Sequence, residues 1–524
     1  MAAAATAVAL AASTVGAAAP SVLQLVPLAV QAPDTALATS DTNLACTFPA
    51  TPAQYTQALG YSSYHCYTPQ DIRSAYAVDQ VSQRGAGQTI VLVDAYGSPT
   101  AKQDLQYFHD TFFGDLPDPN FDQVYPLGAP DYSNANPNGS GLSGPAAAAN
   151  WSGEATLDIE WAYSIAPLAH IVLLAVPPAE TLGVQGFPNL FRAISGAIDT
   201  YPAGTVFSMS FGVTEQTFGG AAAQQTARFD AIMAKGNAKG DSFFSSSGDN
   251  GTTGAAKQQK ESASYPYPTV GWPTSSPQVT SVGGTQLQSG WTWDPSSNIS
   301  FNGVYKDGAL VGITPNPAYF AATSGGFTEA VWNESWLPAA TGGGPSAVYS
   351  RPSWQSSVAD RITDTNGTPV NARGIPDLSW DAAVNGGVLV YITAFPTYQR
   401  AGWHVYGGTS SSSPQVAALV ALANESQHAN GLPYLGNVAP LLYSMSAGQR
   451  ASAFRDIVPV TEGTATAGEL KDNSLWNWNG PDQADTPGSI PGHPTTTGWD
   501  ETTGFGSPLA PGFIAALSAV RGAS

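Results

Sequence analysis

A serine near the C-terminal third of the chain and two carboxylates far upstream stand where each could do chemistry. In Tyr406-Gly407-Gly408-Thr409-Ser410-Ser411-Ser412-Ser413-Pro414, a Gly-Gly turn leads into an apolar, Ala/Leu/Val-rich stretch running to about Gly431. The pattern predicts a helix that opens near Thr409 and Ser410, with Pro414 in its tolerant first turn. Unpaired N–H groups at a helix N-terminus favour developing negative charge, which suits a hydroxyl acting as a nucleophile. The same position suits a serine that only caps the helix, and four successive serines leave the choice open.

Glu154-Ala155-Thr156-Leu157-Asp158 sets two carboxylates four residues apart. On a helix they share one face, with Cβ atoms about 5–6 Å apart. Like charges at that spacing oppose a helix and raise one pKa. Ala155, Leu157, Ile159, Trp161, Ala162 and Ile165 surround the pair with apolar side chains, so the helix is expected to be largely buried. A carboxylate pair in a dry setting is a candidate acid/base unit.

The elements that must position these groups alternate in type. Helices are expected over 68–84, 101–113, 154–165, 188–200 and 219–238. Short β-branched or apolar runs fall at Thr89–Asp94, Ile171–Val176, Val206–Gly212 and Ser242–Asp249. Continuous apolar runs fit strands buried on both faces of a parallel sheet, so the expected fold class is a doubly wound α/β sheet flanked by helices. Functional groups then gather at strand ends, where Asp94, Gly212 and Asp249 stand. Residues 114–150 read as a loop and residues 286–325 as a surface insertion of short β pieces.

Composition narrows the function. The 524 residues carry 38 Asp+Glu against 18 Lys+Arg, a net charge of −20, which argues against nucleic acid and anionic membranes as partners. With only 11% charged residues, the carboxylate excess suits a protein that works in acid. Residues 1–33 are Ala-rich, and Ala17-Ala18-Ala19-Pro20 looks like a signal-cleavage site, although no basic residue precedes Arg73. Export is therefore expected. Residues 34–66 read as a linker or residual pro-segment, and 67–524 as the enzyme domain. Cys46 and Cys66, the only two cysteines, permit one disulfide or two free thiols.

Taken together, the motifs resemble the sedolisins, the serine-carboxyl peptidases. The resemblance rests on Gly408-Thr409-Ser410 with Pro414, on Glu154 and Asp158 followed by Ile159-Glu160, and on Ser246-Ser247-Gly248-Asp249-Asn250-Gly251. Ser208-Met209-Ser210-Phe211-Gly212, Tyr265-Pro266, Val282-Gly283-Gly284-Thr285 and Gly374-Ile375-Pro376-Asp377 also fit, in the family's order, over about residues 67–520. The resemblance implies a subtilisin-like fold in which Ser410 is the nucleophile, Glu154 the general base and Asp158 the group that orients it. Asp249 would be the oxyanion-hole residue, donating from a protonated carboxyl. A carboxylate base still accepts protons near pH 4, where a histidine is already charged. None of the six histidines has a triad-like setting, and Asp94 is expected to be a structural carboxylate near the active site.

The resemblance also implies a calcium loop built from Phe454-Arg455-Asp456-Ile457 and Thr496-Thr497-Gly498-Trp499-Asp500. Its ligands would be the carboxylates of Asp456 and Asp500 and the carbonyls of Ile457, Thr496 and Gly498, a set of hard oxygens. Phe211 replaces the family's Trp, and fewer than 70 residues precede the enzyme domain, where a long pro-domain is usual. The expectation is a monomeric secreted peptidase, endo- or tripeptidyl, acting on proteins or peptides, with a pro-domain in cis or in trans. The rival is a non-catalytic secreted protein binding peptide or carbohydrate on the same scaffold.

Overall fold

The computed structural model of the chain describes residues 26–27, 30–31, 66–130, 132, 145–177, 186–257, 263–289, 301–306, 309–315, 327–334, 339–384, 386–399, 401–459, 471–477 and 488–523. The strands that matter here are β1 (Val26–Pro27), β2 (Val30–Gln31), β3 (Cys66–Tyr67), β4 (Thr89–Ala95), β5 (Phe121–Val124), β6 (His170–Val176), β7 (Val206–Met209) and β8 (Phe211–Thr214). They continue with β9 (Ser242–Ser246), β10 (Thr280–Ser289), β11 (Phe327–Val331), β12 (Leu378–Asp381), β13 (Gly387–Ile392) and β14 (Gly402–Gly407). The helices that matter here are α1 (Pro69–Ala75), α2 (Ala101–Phe112), α3 (Pro145–Ile165), α4 (Phe187–Thr200), α5 (Ala222–Lys239) and α6 (Thr409–Ala429).

Among the described residues the main sheet has eight strands, in the order β11-β10-β9-β7-β4-β6-β5, with β12 also paired to β10. Its pairs run parallel except for β10 with β11. Alternation along the central strands explains the two covered faces. Ile90 and Leu92 of β4 and Ile171 and Leu173 of β6 join one apolar cluster, which also contains α3 and α6. Val91, Val93, Val172 and Leu174 join the other, with α4. A two-residue period therefore sends Asp94, two steps beyond Leu92, toward the face that carries α3 and α6.

The sheet and most helices stand where the sequence places them, with four differences. The stretch 68–84 is a short helix ending at Ala75, then a 3₁₀ turn at Val78–Gln80, because Ala77 adopts φ +56°. Helix α3 starts at Pro145, inside the expected loop, and that loop also contains β5. The run from Val206 to Gly212 breaks at Ser210 into β7 and β8. Helix α5 begins at Ala222 after a 3₁₀ turn at Glu215–Ala221. The insertion after residue 286 contains the hairpin Phe301–Lys306 with Ala309–Pro315. Cys46, one member of the possible Cys46–Cys66 pair, lies outside the described residues.

Candidate active site

Helix α3 is buried on every side through its second half, and Glu154 and Asp158 are fully buried on it. Oxygens of Asp94, Glu154 and Asp158 lie within 4.8 Å of one another. The end of β4 thus adds a third carboxylate to the helix pair. Burial pushes Asp94 up to about 8. Asp158 is held well above the carboxylate range, first by burial, then by the neighbouring Asp94 and Glu154. One contact opposes this: the Ser210 hydroxyl donates to Asp158 Oδ1 at 3.0 Å, favouring the ionised form. The break between β7 and β8 is what leaves Ser210 at that position. The sequence pattern does not single Ser210 out, apart from its setting in a strand-end Ser-Phe-Gly phrase.

Ser410 occupies the first turn of α6, which follows β14 through Gly408. That residue has φ +92°, a conformation that favours glycine and turns the strand into the helix. Pro414 sits in the sixth position of α6, not in the first turn as expected. Its missing N–H removes the donor that the Ser410 carbonyl would otherwise accept. Ser410 is fully buried, and its hydroxyl has no hydrogen-bond partner among the described residues. Ser413 is instead bound to Ser208 at 2.9 Å, and the Ser412 hydroxyl donates to the carbonyls of Trp380 and Asp381. The choice among the four serines is narrowed accordingly. Helices α3 and α6 pack together, and at Gly153 the approach is so close that a Cβ would lie 2.5 Å from the Tyr406 hydroxyl. The residue before Glu154 thus touches the strand that delivers Ser410.

Asp249 follows β9 and is tied to the same turn. Its Oδ1 accepts from the Thr409 N–H at 2.8 Å and from the Thr409 hydroxyl at 2.7 Å, while Gly248 N–H donates to that hydroxyl at 3.1 Å. Its Oδ2 has no partner among the described residues. Burial pushes Asp249 up to about 7, against the lowering effect of both Thr409 bonds. The carboxyl next to the serine is therefore neutral in acid, with one oxygen anchored and the other available to carry the proton.

The five histidines among the described residues are engaged elsewhere. His109 bonds Tyr163, His170 bonds Asp122, His428 stacks on Tyr434, and His493 lies against Glu501. His404 is built into β14 opposite Val390.

At the C-terminal loop the structure brings Asp456 and residues 496–500 together. Gly498 N–H donates to Asp456 Oδ2 at 2.8 Å, and Thr496 N–H to Asp500 Oδ2 at 2.8 Å. Asp500 Oδ1 accepts from Thr502 and Thr503. Arg361, which the sequence does not mark, donates to the carbonyls of Thr497 and Trp499 at 2.8 and 2.9 Å and to the Thr496 hydroxyl at 3.2 Å. It takes the alternates of the two loop carbonyls expected to face an ion. Burial pushes Asp500 up to about 7 and raises Asp456.

A parallel sheet covered on both faces, with a serine at a helix start beside buried carboxylates, defines a subtilisin-like α/β protein whose polar centre is carboxylate-based. Comparison with known proteins agrees. No family profile matches the chain. The chain is 28% identical to kumamolisin of Bacillus sp. (strain MN-32) over 455 residues, 86% of this chain and 63% of the relative. It is 30% identical to sedolisin of Pseudomonas sp. (strain 101) over 287 residues, 53% of this chain and 35% of the relative. The solved structure of Pseudomonas sedolisin complexed with two molecules of pseudo-iodotyrostatin shares the fold, with a TM-score of 0.56 at 24% identity, covering 87% of this chain and 99% of that one. The chain is thus similar in sequence to sedolisin-type peptidases and shares the fold of sedolisin. It spans under two thirds of the length of these curated relatives.

Proposed function

We propose that the protein is a secreted, acid-acting serine-carboxyl peptidase that hydrolyses protein or peptide substrates through an acyl-enzyme on Ser410. The observation that carries the reading is the divided use of Asp249, whose Oδ1 is fixed by two Thr409 donors beside Ser410 while Oδ2 remains for a proton. Ser410 Oγ attacks the scissile carbonyl as Glu154 takes its proton. The oxyanion of the tetrahedral intermediate accepts a hydrogen bond from protonated Asp249 Oδ2. Glu154 then passes the proton to the leaving amine, and a water activated by Glu154 releases the acyl group. Asp158 stays protonated through burial and its two acidic neighbours and orients Glu154, while Ser210 fixes its other oxygen.

This division of labour sets the working range. The oxyanion donor is lost as pH rises through about 7, so the reaction belongs to acid. Named relatives include kumamolisin, sedolisin and a tripeptidyl-peptidase of Arthroderma otae. At the C-terminal loop, the buried carboxylate of Asp500, the exposed carboxylate of Asp456 and a run of carbonyls form a hard-oxygen donor set that fits calcium. Asp456, Asp500 and the carbonyls of Ile457, Thr496 and Gly498 would hold the ion. It would supply positive charge that reverses the upward pull of burial on the two carboxylates.

The deciding experiment is cleavage of an unstructured protein from pH 2.5 to 8 by the intact chain, Ser410→Ala and Glu154→Gln. Activity confined to acid and abolished in both variants supports the mechanism. A neutral optimum that survives Glu154→Gln overturns it.

A further inference from the structure

Ser410 is gripped through its neighbours, while its own hydroxyl has no partner among the described residues. Ahead of it, the Thr409 N–H and hydroxyl donate to Asp249, and the Ser246 hydroxyl donates to the Thr409 carbonyl at 3.1 Å. The Gly408 N–H donates to the Ala382 carbonyl at 2.7 Å, just past the end of β12. Behind it, the Ser412 hydroxyl donates to the carbonyls of Trp380 and Asp381 at 3.0 and 3.1 Å. Three successive carbonyls at the end of β12 therefore accept from the two flanks of the serine.

One pair of side chains completes this grip. Pro414 leaves the Ser410 carbonyl without its ladder donor, which loosens the first turn of α6 at the residue whose position matters. No side chain caps that turn, because its N-cap is Gly408. The next rung is reinforced instead. Gln415 Nε2 donates to the Ser411 carbonyl at 2.8 Å and to the Ser411 hydroxyl at 3.2 Å. Gln415 Oε1 accepts from the Trp380 indole N–H at 3.0 Å. The amide thus uses both its ends to tie the residue after Ser410 to β12.

Trp380 is itself immobilised. Its ring stacks on Tyr76, with 3.6 Å between centroids. The Tyr76 hydroxyl donates to Glu329 Oε1 at 2.7 Å and accepts from the Asp381 N–H at 3.0 Å, while Arg455 pairs with Glu329 Oε2 at 2.7 Å. Ser411, Gln415, Trp380 and Tyr76 are all buried, so water cannot readily replace a lost contact. A buried donor left unpaired is costly, and misplacing a reacting group by about 1 Å can lower a rate by about 100-fold.

We propose that Gln415 and Trp380 are positioning residues: acting through Ser411, they fix the first turn of α6 so that the Ser410 hydroxyl is aimed at the scissile carbonyl. The role in turnover rests on the peptidase reading, whereas the contact itself does not. The test measures kcat and KM on an unstructured protein at about pH 4 for the intact chain, Gln415→Leu, Trp380→Phe, the two combined, and Gln415→Glu. Trp380→Phe keeps the stack on Tyr76 and removes only the N–H. Gln415→Glu, neutral when protonated, still accepts from the indole and donates to the Ser411 carbonyl. Gln415→Leu and Trp380→Phe each lower kcat roughly tenfold or more with KM little changed, and the combination loses no more than Gln415→Leu alone. Gln415→Glu stays within about threefold of the intact chain. Leu419→Ala, a core truncation further along α6, lowers stability and leaves kcat within about twofold. In a Ser410→Ala background, Gln415→Leu speeds amide exchange at Ser411 roughly tenfold, while the β4 amides keep their protection and report an intact fold. An unchanged kcat in both single variants, losses that multiply in the combination, or an equal loss of kcat in Leu419→Ala overturns the proposal. If no chain turns over substrate, the peptidase reading falls and Ser411 exchange decides alone: the tenfold rise sustains the proposal, and no change overturns it.

Discussion

Asp249→Asn isolates what it costs the fold to hold a neutral carboxyl beside Ser410. Asn keeps Oδ1 as acceptor for both Thr409 donors and places an amide where the protonated Oδ2 stands. The ordinary value of 3.8 is raised to about 7 by burial, so the folded state holds the proton that the unfolded chain releases. Below pH 4 both states are protonated and the group has no net effect. Between about 4 and 7 only the unfolded state gains by ionising, and each pH unit costs the folded state about 1.4 kcal/mol. Above 7 the loss stays at its full size, on the order of 4 kcal/mol. Asn does not titrate and escapes this cost. In a Ser410→Ala background, which prevents self-digestion, the Asn variant should match its parent at pH 3 and exceed it by that amount at pH 8. Denaturant midpoints followed by tryptophan fluorescence at pH 3, 5, 7 and 8 read the difference. Curves separated by the same amount at pH 3 and pH 8 would refute the argument, because they would mean that Asp249 ionises alike in both states.

Other groups give sharper local tests. Ser210→Ala removes the one described side-chain bond that favours ionised Asp158; we expect about 1 kcal/mol of lost stability and a roughly tenfold fall in kcat/KM, measured by denaturation and initial rates. Arg373→Leu strips the charged partner from Asp377, with which it forms a fully buried pair at 2.6 Å; the loss should be about 3–5 kcal/mol, read by denaturation. Calcium chelation should lower Tm, by an amount corresponding to about 3 kcal/mol if the ion had been present at a hundredfold its Kd. Arg361→Gln, which releases the Thr497 and Trp499 carbonyls, should make the chelated protein less stable again, a difference read by calorimetry with and without added calcium.

Strands β4, β6, β7 and β9 were legible because strands covered on both faces must be apolar at every position, and such runs are conspicuous. Their ends then point to Asp94 and Asp249 without any knowledge of contacts. Helix α3 was read only from Glu154 onward, since Pro145 to Ala149 is a small-residue run with no period of its own and is helical through packing. The break at Ser210 is equally silent in sequence, because β7 and β8 together read as one strand. Pro414 misled for a different reason: an interior proline is tolerated in α6 because the helix is held by packing on all sides. Arg361 had no signal at all, as it lies 135 residues from Thr496 and acts through backbone carbonyls. Strands β1 and β2 were hidden in an Ala-rich segment whose composition points to export.

Carboxylates, and not histidine, suit this site because of how it is packed. Three acidic oxygens within 4.8 Å repel, when all ionised, by about 3.5 kcal/mol per pair even at an effective dielectric constant of 20. The pocket must therefore retain protons, and burial of Asp94 and Asp158 reinforces this. An imidazole placed there would be charged across the acid range and would add a desolvated cation in place of a base. A proton-retaining cluster has a further consequence. The protons that Asp158 and Asp249 retain in the proposed mechanism are the same ones whose retention costs the folded state stability once the unfolded chain ionises. Stability should then fall from about pH 4 upward, as the unfolded chain ionises, and activity only as Asp249 loses its proton near 7. An inactive Ser410→Ala chain whose stability starts to fall near pH 4, below the interval in which the active chain loses turnover, would show the shared origin. A variant chain stable to pH 9 but inactive above 6 would separate the two and place the alkaline limit on Glu154 and its substrate complex alone.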